Sequence, residues 1–417
     1  MKIKVLHINA NTAGGAFVVA QRLHEALNLR DDVISNHLVF DGKPGNYFLW
    51  ANNRVRKAVA ITNHALDKLD FLRFEASSRI RFQFNHASMG IDITEHPLVK
   101  DADIIHFHWV HKGFLSFTGL EKLLKLNKKF IWTCHDLWPV TGGCYYTWGC
   151  DHLTEGCFDC KFLKNPGNPD RSTKWFKLKE RLWGNGQVRF ITPSRWLAEI
   201  GNTSKMFQSP QMKPIKAIPN AINTDFFAPV SLDDKRKLKQ DLGLNPNLPV
   251  ILFSAANLNN PAKGFEYFLQ CMNDLVHQKG QVQFLILGRN YAQSLPENLP
   301  AKFVGFESNI NKILRYYQTS DIYVTTAIED NLPTTVMEAL SCGLPCLGFK
   351  VGGIPELIDH NRNGFILDSG DVKSLTDLLL NPEIDWLKLG LAARDKAKST
   401  YDTHVVLDQI VNEYRSL

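Results

Sequence analysis

Short apolar runs alternate along this chain with segments in which apolar residues recur at helical spacing. A buried strand is predicted over residues 3–8. The helix that follows carries five apolar side chains on one face, namely Val18, Val19, Leu23, Ala26 and Leu27. Further strands are predicted over residues 104–110 and 130–134. This alternation is typical of a parallel sheet with crossover helices.

The alternation continues in the second half, where strands are predicted over residues 250–255, 322–324 and 345–349. A helix is predicted from Pro333, since proline is pre-organised for a first helical turn, to the stop signal that begins at Gly343. Acidic side chains therefore stand between a buried strand and a helix start. The partial positive charge and the free N–H groups of that helix start suit a phosphate or sugar hydroxyls.

The length and composition indicate a two-domain globular protein. At 417 residues the chain is long for one core, and a hydrophobic content of 44% excludes disorder as a class. The first residues read as a strand and not as a signal peptide, and no apolar stretch reaches the length of a membrane span. We therefore expect a cytoplasmic protein, in which the eight cysteines are thiols or metal ligands rather than disulfides.

The formal net charge is +6, and the basic residues are concentrated in the first half. Between Arg54 and Arg81, basic side chains mix with apolar ones such as Phe71 and Leu72, a composition that suits an anionic lipid surface. A solvated helical face is the alternative. Nucleic acid is not expected as a partner, because no recognised binding module or aromatic stacking platform is evident.

Several candidate residues follow directly from the predicted strands. Gly14 and Gly15 form a turn between the first strand and its helix, where a phosphate can bind. The G-x-G-x-x-G spacing is incomplete, so a nicotinamide dehydrogenase is a remote alternative. His135 comes at the carboxyl end of its strand, the edge at which open α/β sheets bind ligands. Asp101 and Asp103 precede a strand, and this position argues against a metal-binding D-x-D motif.

The segment from Glu329 to Glu338 reads EDNLPTTVME, with two acids, a proline and a further glutamate after a strand. This order resembles the signature of the retaining GT-B glycosyltransferases of glycosyltransferase family 4, and WTCHDLW around His135 is similar to the segment of that family's active-site histidine. The resemblance implies two Rossmann-like, doubly wound α/β domains that face a central crevice. It divides the chain into an acceptor domain over 1–204, a donor domain over 205–395 and a helix over 396–417 that crosses back.

The resemblance also implies the residues that act on the transferred sugar. His135 would contact the sugar near the reacting carbon. The first acidic position would contact the same sugar, and both Glu329 and Asp330 remain candidates for it. No catalytic metal is expected.

Other residues would hold the nucleotide part of the donor. Glu338 would bind the ribose, and the ammonium of Lys263 would meet the diphosphate. The family usually places an arginine where Asn257 stands, and Arg289 is a candidate replacement. The donor-binding set is Gly14, Gly15, Lys263, Arg289, Asn331, Leu332, Pro333 and Glu338.

The implied reaction moves a sugar from a nucleotide-sugar donor to a hydroxyl of a glycan acceptor, with retention of configuration. The segments HDLWPVTGGC and EDNLP are similar to segments of bacterial enzymes that assemble exopolysaccharide, capsule or lipopolysaccharide. We therefore expect a lipid-linked oligosaccharide acceptor and a peripheral position at the inner face of the membrane. Two alternatives remain, a GT-B-shaped nucleotide-sugar epimerase and a non-catalytic assembly subunit with a decayed donor site. The missing arginine and the aspartate at Asp330 favour the second.

A cysteine-rich loop follows His135. It contains Cys144, Cys150, Cys157 and Cys160, and the last two have the C-x-x-C spacing of a zinc knuckle. The sequence leaves two interpretations open, a structural zinc that stiffens the loop and free thiols. A catalytic zinc is not expected, because four protein ligands would leave no open position on the ion.

Overall fold

The computed structural model describes residues 2–80, 83–277, 281–289 and 300–417, so that Arg81 lies outside the described residues. The contacts divide the chain into two compact units. The first unit consists of Met1–Pro219 and Leu407–Leu417, and the second unit consists of Asn220–Val406.

The first unit contains a parallel sheet with helices between its strands. The strands are β1 (Ile3–Asn11), β2 (Val33–Asp41), β3 (Phe48–Leu49), β4 (Ile104–Phe107), β5 (Lys129–Thr133), β6 (Val188–Thr192) and β7 (Lys216–Ala217). The helices are α1 (Gly15–Leu27), α2 (Arg54–Phe71), α3 (Pro97–Asp101), α4 (Phe117–Leu124), α5 (Arg171–Trp183) and α6 (Arg195–Asn202). The seven strands lie in the order β3-β2-β1-β4-β5-β6-β7.

The second unit repeats this plan with six strands. The strands are β8 (Val250–Asn257), β9 (Gln283–Arg289), β10 (Ala301–Gly305), β11 (Ile322–Thr325), β12 (Cys346–Phe349) and β13 (Gly364–Leu367). The helices are α7 (Leu232–Asp241), α8 (Phe265–His277), α9 (Ile310–Thr319), α10 (Thr334–Ser341), α11 (Ile354–Leu357), α12 (Val372–Leu380), α13 (Trp386–Lys396) and α14 (Thr403–Arg415). The strand order is β10-β9-β8-β11-β12-β13.

Both sheets have the order of a doubly wound Rossmann domain, so the predicted fold class is confirmed. The strand order reverses between β1 and β4 in the first sheet and between β8 and β11 in the second. In open α/β sheets, ligands bind outside the carboxyl ends of the strands at such a point. The candidate residues next to these strand ends are Gly14 and Gly15 after β1, Lys263 after β8, and Glu329 and Asp330 after β11.

The boundary between the units differs from the expected start of the donor domain at residue 205. Residues 205–219 belong to the first unit. The reason is the short strand β7, which pairs with β6 through Lys216 and Ala217 and so completes the first sheet. A two-residue strand carries no apolar pattern that the sequence could reveal.

The last helix is divided between the units. Residues 396–406 belong to the second unit, and the part of α14 from Leu407 belongs to the first. There the hydroxyl of Tyr414 lies 2.7 Å from Nδ1 of His106 on β4. The chain therefore returns to the first sheet later than residue 396, where the crossing helix was expected to begin.

Each unit has its own apolar core. The tryptophans Trp132, Trp138 and Trp183 pack together in the first unit, and Phe253 stacks on Phe268 in the second. Within the part of the chain that the structure describes, no helix is both long enough and apolar enough to cross a membrane. The helices instead place their buried faces against the sheets, as in other layered α/β folds.

A row of buried histidines crosses the centre of the first sheet. His7 on β1 is in register with His37 on β2 and with His106 on β4, and none of the three side chains is exposed. Burial lowers the pKa of His37 and of His106 to about 3, and it lowers the pKa of His7 well below its usual range. These rings are therefore neutral at pH 7.

We expect the free energy of unfolding of the first unit to fall as the pH drops from about 6.5 to about 4. In this range the histidines of the unfolded chain take up protons and the buried rings do not, so acid favours the unfolded chain. Each such ring contributes up to about 1.4 kcal/mol per pH unit. Tryptophan fluorescence during urea unfolding measures the effect, because every tryptophan except Trp386 lies in the first unit.

A His37→Asn variant provides the control. Its amide keeps a polar group near Gln21, whose Oε1 lies 2.8 Å from Nδ1 of His37. The free energy of unfolding of the variant should depend less steeply on pH, because unfolding takes up about one proton fewer. A wild-type stability that does not change between pH 6.5 and pH 4 would contradict the burial of neutral rings.

Candidate functional site

In the second unit, Lys263 and Asp330 form an ion pair at the carboxyl ends of β8 and β11. Lys263 ends a 3-10 turn, Pro261–Lys263, and its Nζ donates to Oδ2 of Asp330 at 2.5 Å. Only 15% of the Asp330 side chain and 34% of the Lys263 side chain are exposed. The structure thus brings together two residues that the sequence assigned to different parts of the same ligand.

Backbone contacts hold the two loops of this pair against each other. The N–H of Ile328 donates to the carbonyl of Ala262 at 2.9 Å, and the Thr326 hydroxyl donates to the carbonyl of Gly264 at 2.7 Å. Gly264 has a positive φ of 61°, and a Cβ there would lie 1.9 Å from the Thr326 carbonyl oxygen. Glycine is therefore required after Lys263 for the loops to approach this closely.

A second glycine contact fixes Asp330 from the other side. The N–H of Gly353 donates to the Asp330 carbonyl at 3.2 Å. At Gly352, where φ is 56°, a Cβ would lie 1.7 Å from the same oxygen. The turn between β11 and α10 is thus packed against the turn after β12.

Glu338 lies on α10 and is buried, with 6% of its surface exposed. The hydroxyl of Tyr317 on α9 donates to its Oε2 at 2.8 Å, which orients the carboxylate. Burial and the neighbouring Glu338 raise the pKa of Tyr317 well above its usual range, so the phenol keeps its proton and remains a donor. Tyr317 was not predicted from the sequence, because nothing near it in the chain signals a contact with α10.

The residues between the two acidic positions are buried and lead into α10. Asn331, Leu332 and Pro333 have little exposed surface, and the side chain of Asn220 donates to the Leu332 carbonyl at 3.4 Å. The helix begins at Thr334 rather than at Pro333, because Pro333 has an extended backbone and precedes the first turn. Pro333 provides no side-chain cap, so the first N–H groups of α10 are not capped by it.

Glu329 and Arg289 occupy the rim of this region. Glu329 is partly exposed, and its N–H lies 3.4 Å from the Ala262 carbonyl. Arg289 is the last residue of β9 and pairs with Asn257 on β8, where the sequence lacks an expected arginine. A guanidinium therefore stands on the strand beside Asn257, and it lies 5.2 Å from the centroid of the Phe306 ring.

In the first unit, Gly14 and Gly15 lie in the open turn between β1 and α1. Both are exposed, and a Cβ at either position would meet no atom within 4 Å. Gly14 has a φ of 88° and forms the N-cap of α1 without a side-chain cap. The start of α1 is therefore uncapped and sterically accessible, as an anion-binding turn requires.

His135 and Asp136 follow β5 and are partly exposed. Burial lowers the pKa of His135 to about 4, so its ring is neutral at pH 7. Burial raises the pKa of Asp136 to about 7, although the N–H of Trp138 and the nearby Lys179 oppose that rise. Nε2 of His135 lies 3.0 Å from Nδ1 of His108, a buried ring directly after β4.

The aspartates of the D-x-D pattern lie at the opposite edge of the first sheet. Asp101 ends α3 and Asp103 precedes β4, and both bond to Lys4 near the start of β1. Among the described residues, the group whose ligand atoms lie close enough to hold a metal ion is His7, His106 and His108. No group of three cysteine sulfurs in that part of the chain meets the same distance.

The four cysteines of the loop are free thiols in the structure and are partly exposed. Burial raises the pKa of the Cys144 thiol to about 11 and that of the Cys160 thiol to about 12. The N–H of Gly142 donates to Sγ of Cys157 at 3.2 Å. His152 of the same loop stacks on Phe158 and bonds to its carbonyl oxygen.

Matches to known protein families show which family this chain belongs to. Residues 13–226, just over half of the chain, match the family described as Glycosyltransferase Family 4. The chain belongs to glycosyltransferase family 4. Residues 249–381 of this glycosyltransferase also match the family described as Glycosyl transferases group 1.

Individual relatives agree with this assignment. The family 4 chain is 24% identical, over 100% of both chains, to the putative colanic acid biosynthesis glycosyl transferase of Escherichia coli K12. It is 28% identical to the amylovoran biosynthesis glycosyltransferase of Erwinia amylovora, over 39% of this chain and 44% of that protein.

Solved structures show the same GT-B fold. A glycosyltransferase from Rickettsia africae superposes with a TM-score of 0.64 at 16% identity, covering 100% of this chain and 98% of that one. An Anabaena protein in complex with UDP superposes with a TM-score of 0.63 at 17% identity, covering 100% of both chains. At these identities the likeness concerns the fold alone.

Proposed function

We propose that this glycosyltransferase moves a sugar from a nucleotide-sugar donor to a glycan hydroxyl, with retention of configuration, during bacterial polysaccharide synthesis. The observation that carries the proposal is the cluster after β8 and β11, where Lys263 pairs with Asp330 and Tyr317 orients Glu338. This cluster combines one cation with carboxylates beside a helix start that has no side-chain cap. Such a set can bind a diphosphate and sugar hydroxyls together.

Each residue has a role in the proposed reaction. Lys263 and the first N–H groups of α10 stabilise the charge that develops on the leaving diphosphate, so no metal is needed for that step. Glu338 accepts hydrogen bonds from the ribose hydroxyls. Asp330 or Glu329 accepts a hydrogen bond from a hydroxyl of the transferred sugar, and the leaving diphosphate itself can take up the acceptor proton.

Gly14, Gly15 and His135 of the first unit and Arg289 of the second unit have separate roles. The open turn at Gly14 and Gly15 gives an anionic group access to the uncapped start of α1. His135 contacts the donor sugar as a neutral ring. Arg289 supplies a positive charge beside Asn257 and is the proposed replacement for the missing arginine.

The relatives support this choice of substrates. The E. coli and Erwinia proteins are named for colanic acid and amylovoran biosynthesis, which favours a polysaccharide product here. The Anabaena structures contain UDP and UDP-glucose, which favours a nucleotide-sugar donor. The ion pair between Lys263 and Asp330 and the hydrogen bond from Tyr317 to Glu338 argue against a decayed donor site.

The first experiment measures thermal shift and turnover with UDP-, GDP-, ADP- and dTDP-sugars, with and without a lipid-linked glycan acceptor. One nucleotide should stabilise the wild-type protein. Glu338→Gln should weaken the binding of that nucleotide about ten- to a hundredfold, because hydrogen bonds to a charged group contribute about 1.5–3 kcal/mol each. Tyr317→Phe should have a smaller effect, since the carboxylate remains and loses only the hydrogen bond from the Tyr317 hydroxyl.

Glu266→Gln is the matched control, because Glu266 is an exposed glutamate of the same unit on α8. It should leave both nucleotide binding and turnover unchanged. A wild-type protein that responds to no nucleotide would reject the proposal and favour a non-catalytic subunit. Conversion of the donor without any acceptor would instead indicate an epimerase.

We further propose that α2 binds the inner face of an anionic membrane and brings the enzyme to a lipid-linked acceptor. The buried residues of α2 are Ala60, Asp67 and Phe71. On the opposite face, Val55, Val59, Leu66 and Leu69 follow one another at helical spacing, and all four are exposed. Exposed Arg54, Lys57 and Lys68 flank this stripe. An exposed apolar stripe with basic neighbours is typical of an interfacial helix.

Co-sedimentation with vesicles tests the membrane proposal. The wild-type protein should bind phosphatidylglycerol vesicles, bind phosphatidylcholine vesicles less, and dissociate as salt is added. Replacing Val55, Leu66 and Leu69 together by serine should abolish binding. The control replaces Leu232, Leu387 and Leu391, exposed residues of the second unit, by serine. Equal loss in both variants, or no wild-type binding, would reject α2 as the membrane contact.

We also propose that the cysteine loop binds a structural zinc ion. The buried Lys179 supports this proposal, because its Nζ donates to the carbonyls of Trp138 and Thr141 and lies over the ring face of Trp138. Burial lowers the pKa of Lys179 to about 7, and negative charge on Cys144, Cys157 or Asp136 opposes that fall. Four thiolates on Zn²⁺ would supply the negative charge that a buried ammonium requires. The loop would have to close around the ion to bring the sulfurs together.

Metal analysis of the purified protein tests the zinc proposal. We expect about one zinc per chain, a lower melting temperature after chelation, and loss of zinc in Cys157→Ser and Cys160→Ser. Cys271→Ala, which changes a buried thiol of the second unit, should keep the metal. A metal-free wild-type protein whose four loop thiols all react as free thiols would support the alternative of free cysteines.

A further inference from the structure

Three histidine rings form a hydrogen-bonded chain that leads from His135 into the first sheet. Nε2 of His135 lies 3.0 Å from Nδ1 of His108, and Nε2 of His108 lies 2.9 Å from Nδ1 of His7. His108 and His7 are buried, with 3% and 0% exposed. Nε2 of His7, at the inner end of the chain, is buried and has no hydrogen-bond partner among the residues that the structure describes. The sequence favours a functional role for His135, because it follows a strand, and favours such a role for His108 more weakly.

The contacts are those of hydrogen bonds and not of a metal centre. His7, His106 and His108 have nitrogens close enough to share an ion, but both nitrogens of His106 are engaged at 2.7 Å, by Thr133 and by Tyr414. Two nitrogens bound to one zinc ion would be about 3.3 Å apart, given Zn–N bonds of about 2.0–2.1 Å. The separation of 2.9 Å between His7 and His108 is that of a direct N–H···N hydrogen bond.

A chain of neutral imidazoles has only two arrangements of its hydrogens. Each neutral ring has one N–H donor and one acceptor nitrogen, so the choice at one ring fixes the choice at the next. In one arrangement every hydrogen bond is donated towards His7, and the Nε2 of His7 carries a hydrogen. In the other arrangement every hydrogen bond is donated towards His135, and the Nε2 of His7 carries only a lone pair.

The inner end of the chain selects between these arrangements. In the first arrangement a buried N–H of His7 would have no acceptor within the described part of the chain. Buried N–H groups without an acceptor are rarer in proteins than buried acceptors without a donor, because a buried donor that loses its partner in water is destabilising. The second arrangement leaves only an unused lone pair, so it is favoured.

We propose that His7 and His108 are positioning residues that hold His135 with its hydrogen on Nδ1. Nδ1–H of His7 donates to Nε2 of His108, and Nδ1–H of His108 donates to Nε2 of His135. The Nδ1 of His135 is then a fixed donor, suited to the oxygen of a donor-sugar hydroxyl. This last step rests on the proposed function, whereas the state of the ring does not.

Long-range ¹H–¹⁵N NMR of protein labelled on its histidine side chains measures the tautomer of each ring. The His135 signal is assigned by its loss in His135→Gln. In the wild type, His135 should carry its hydrogen on Nδ1. His108→Phe removes the donor to Nε2, and the hydrogen of His135 should then shift towards Nε2. The same variant should lower kcat about tenfold or more, with a smaller change in KM for the acceptor.

Two further variants separate positioning from packing. The amide of His108→Asn lies near the position of Nδ1 and can still donate, so it should restore the wild-type tautomer and most of kcat. His106→Asn is the control, because His106 stacks on His108 with centroids 4.3 Å apart but belongs to neither hydrogen bond of the chain. It should leave the tautomer of His135 unchanged. Circular dichroism and melting temperatures establish that each variant is folded.

A wild-type His135 with its hydrogen on Nε2 would overturn the proposal, as would a tautomer that His108→Phe leaves unchanged. A protein without transferase activity would reject the proposed function, but the NMR result would still decide the state of the ring. The two proposals therefore fail by different measurements.

Discussion

The hydrogen-bond ladders of the central parallel strands are the constraint on which the rest of the structure depends. Both faces of such a sheet are covered, so the side chains of β4 and those from Val5 to Ala10 on β1 must be accommodated in a dry interior. Apolar residues meet this requirement directly. The polar ones meet it through register and hydrogen bonds. His7 is aligned with His37 and His106 and bonds to His108, and His106 bonds to the hydroxyl groups of Thr133 and Tyr414.

The same ladders determine where chemistry can occur. Strands that run in parallel deliver their carboxyl ends to one edge, and the reversal of strand order opens that edge. In the second unit the reversal lies beside Lys263 and Asp330, and Gly264 and Gly352 allow the backbone turns around them to touch. The ion pair is therefore built on the sheet and on close backbone packing, rather than on flexible side chains alone.

Local patterns in the sequence predicted local structure well. They placed β1, the turn at Gly14 and Gly15, and the helix that carries Glu338, because each depends on residues that are neighbours in the chain. They missed Tyr317, whose bond to Glu338 joins two helices. The predicted start of the second unit, residue 205, was also too early. The two-residue strand β7 can be recognised only from its pairing with β6. What escaped prediction in each case was a contact set by register or packing between distant segments.

The ion pair between Lys263 and Asp330 has a consequence for the catalytic cycle. If Lys263 holds the diphosphate as proposed, the incoming donor must first separate the lysine from Asp330, and part of the binding free energy is used for that separation. After transfer, the carboxylate can recapture the ammonium as the nucleotide departs. Asp330 would thus act as an internal competitor of the product, which limits product inhibition and resets the enzyme for the next sugar.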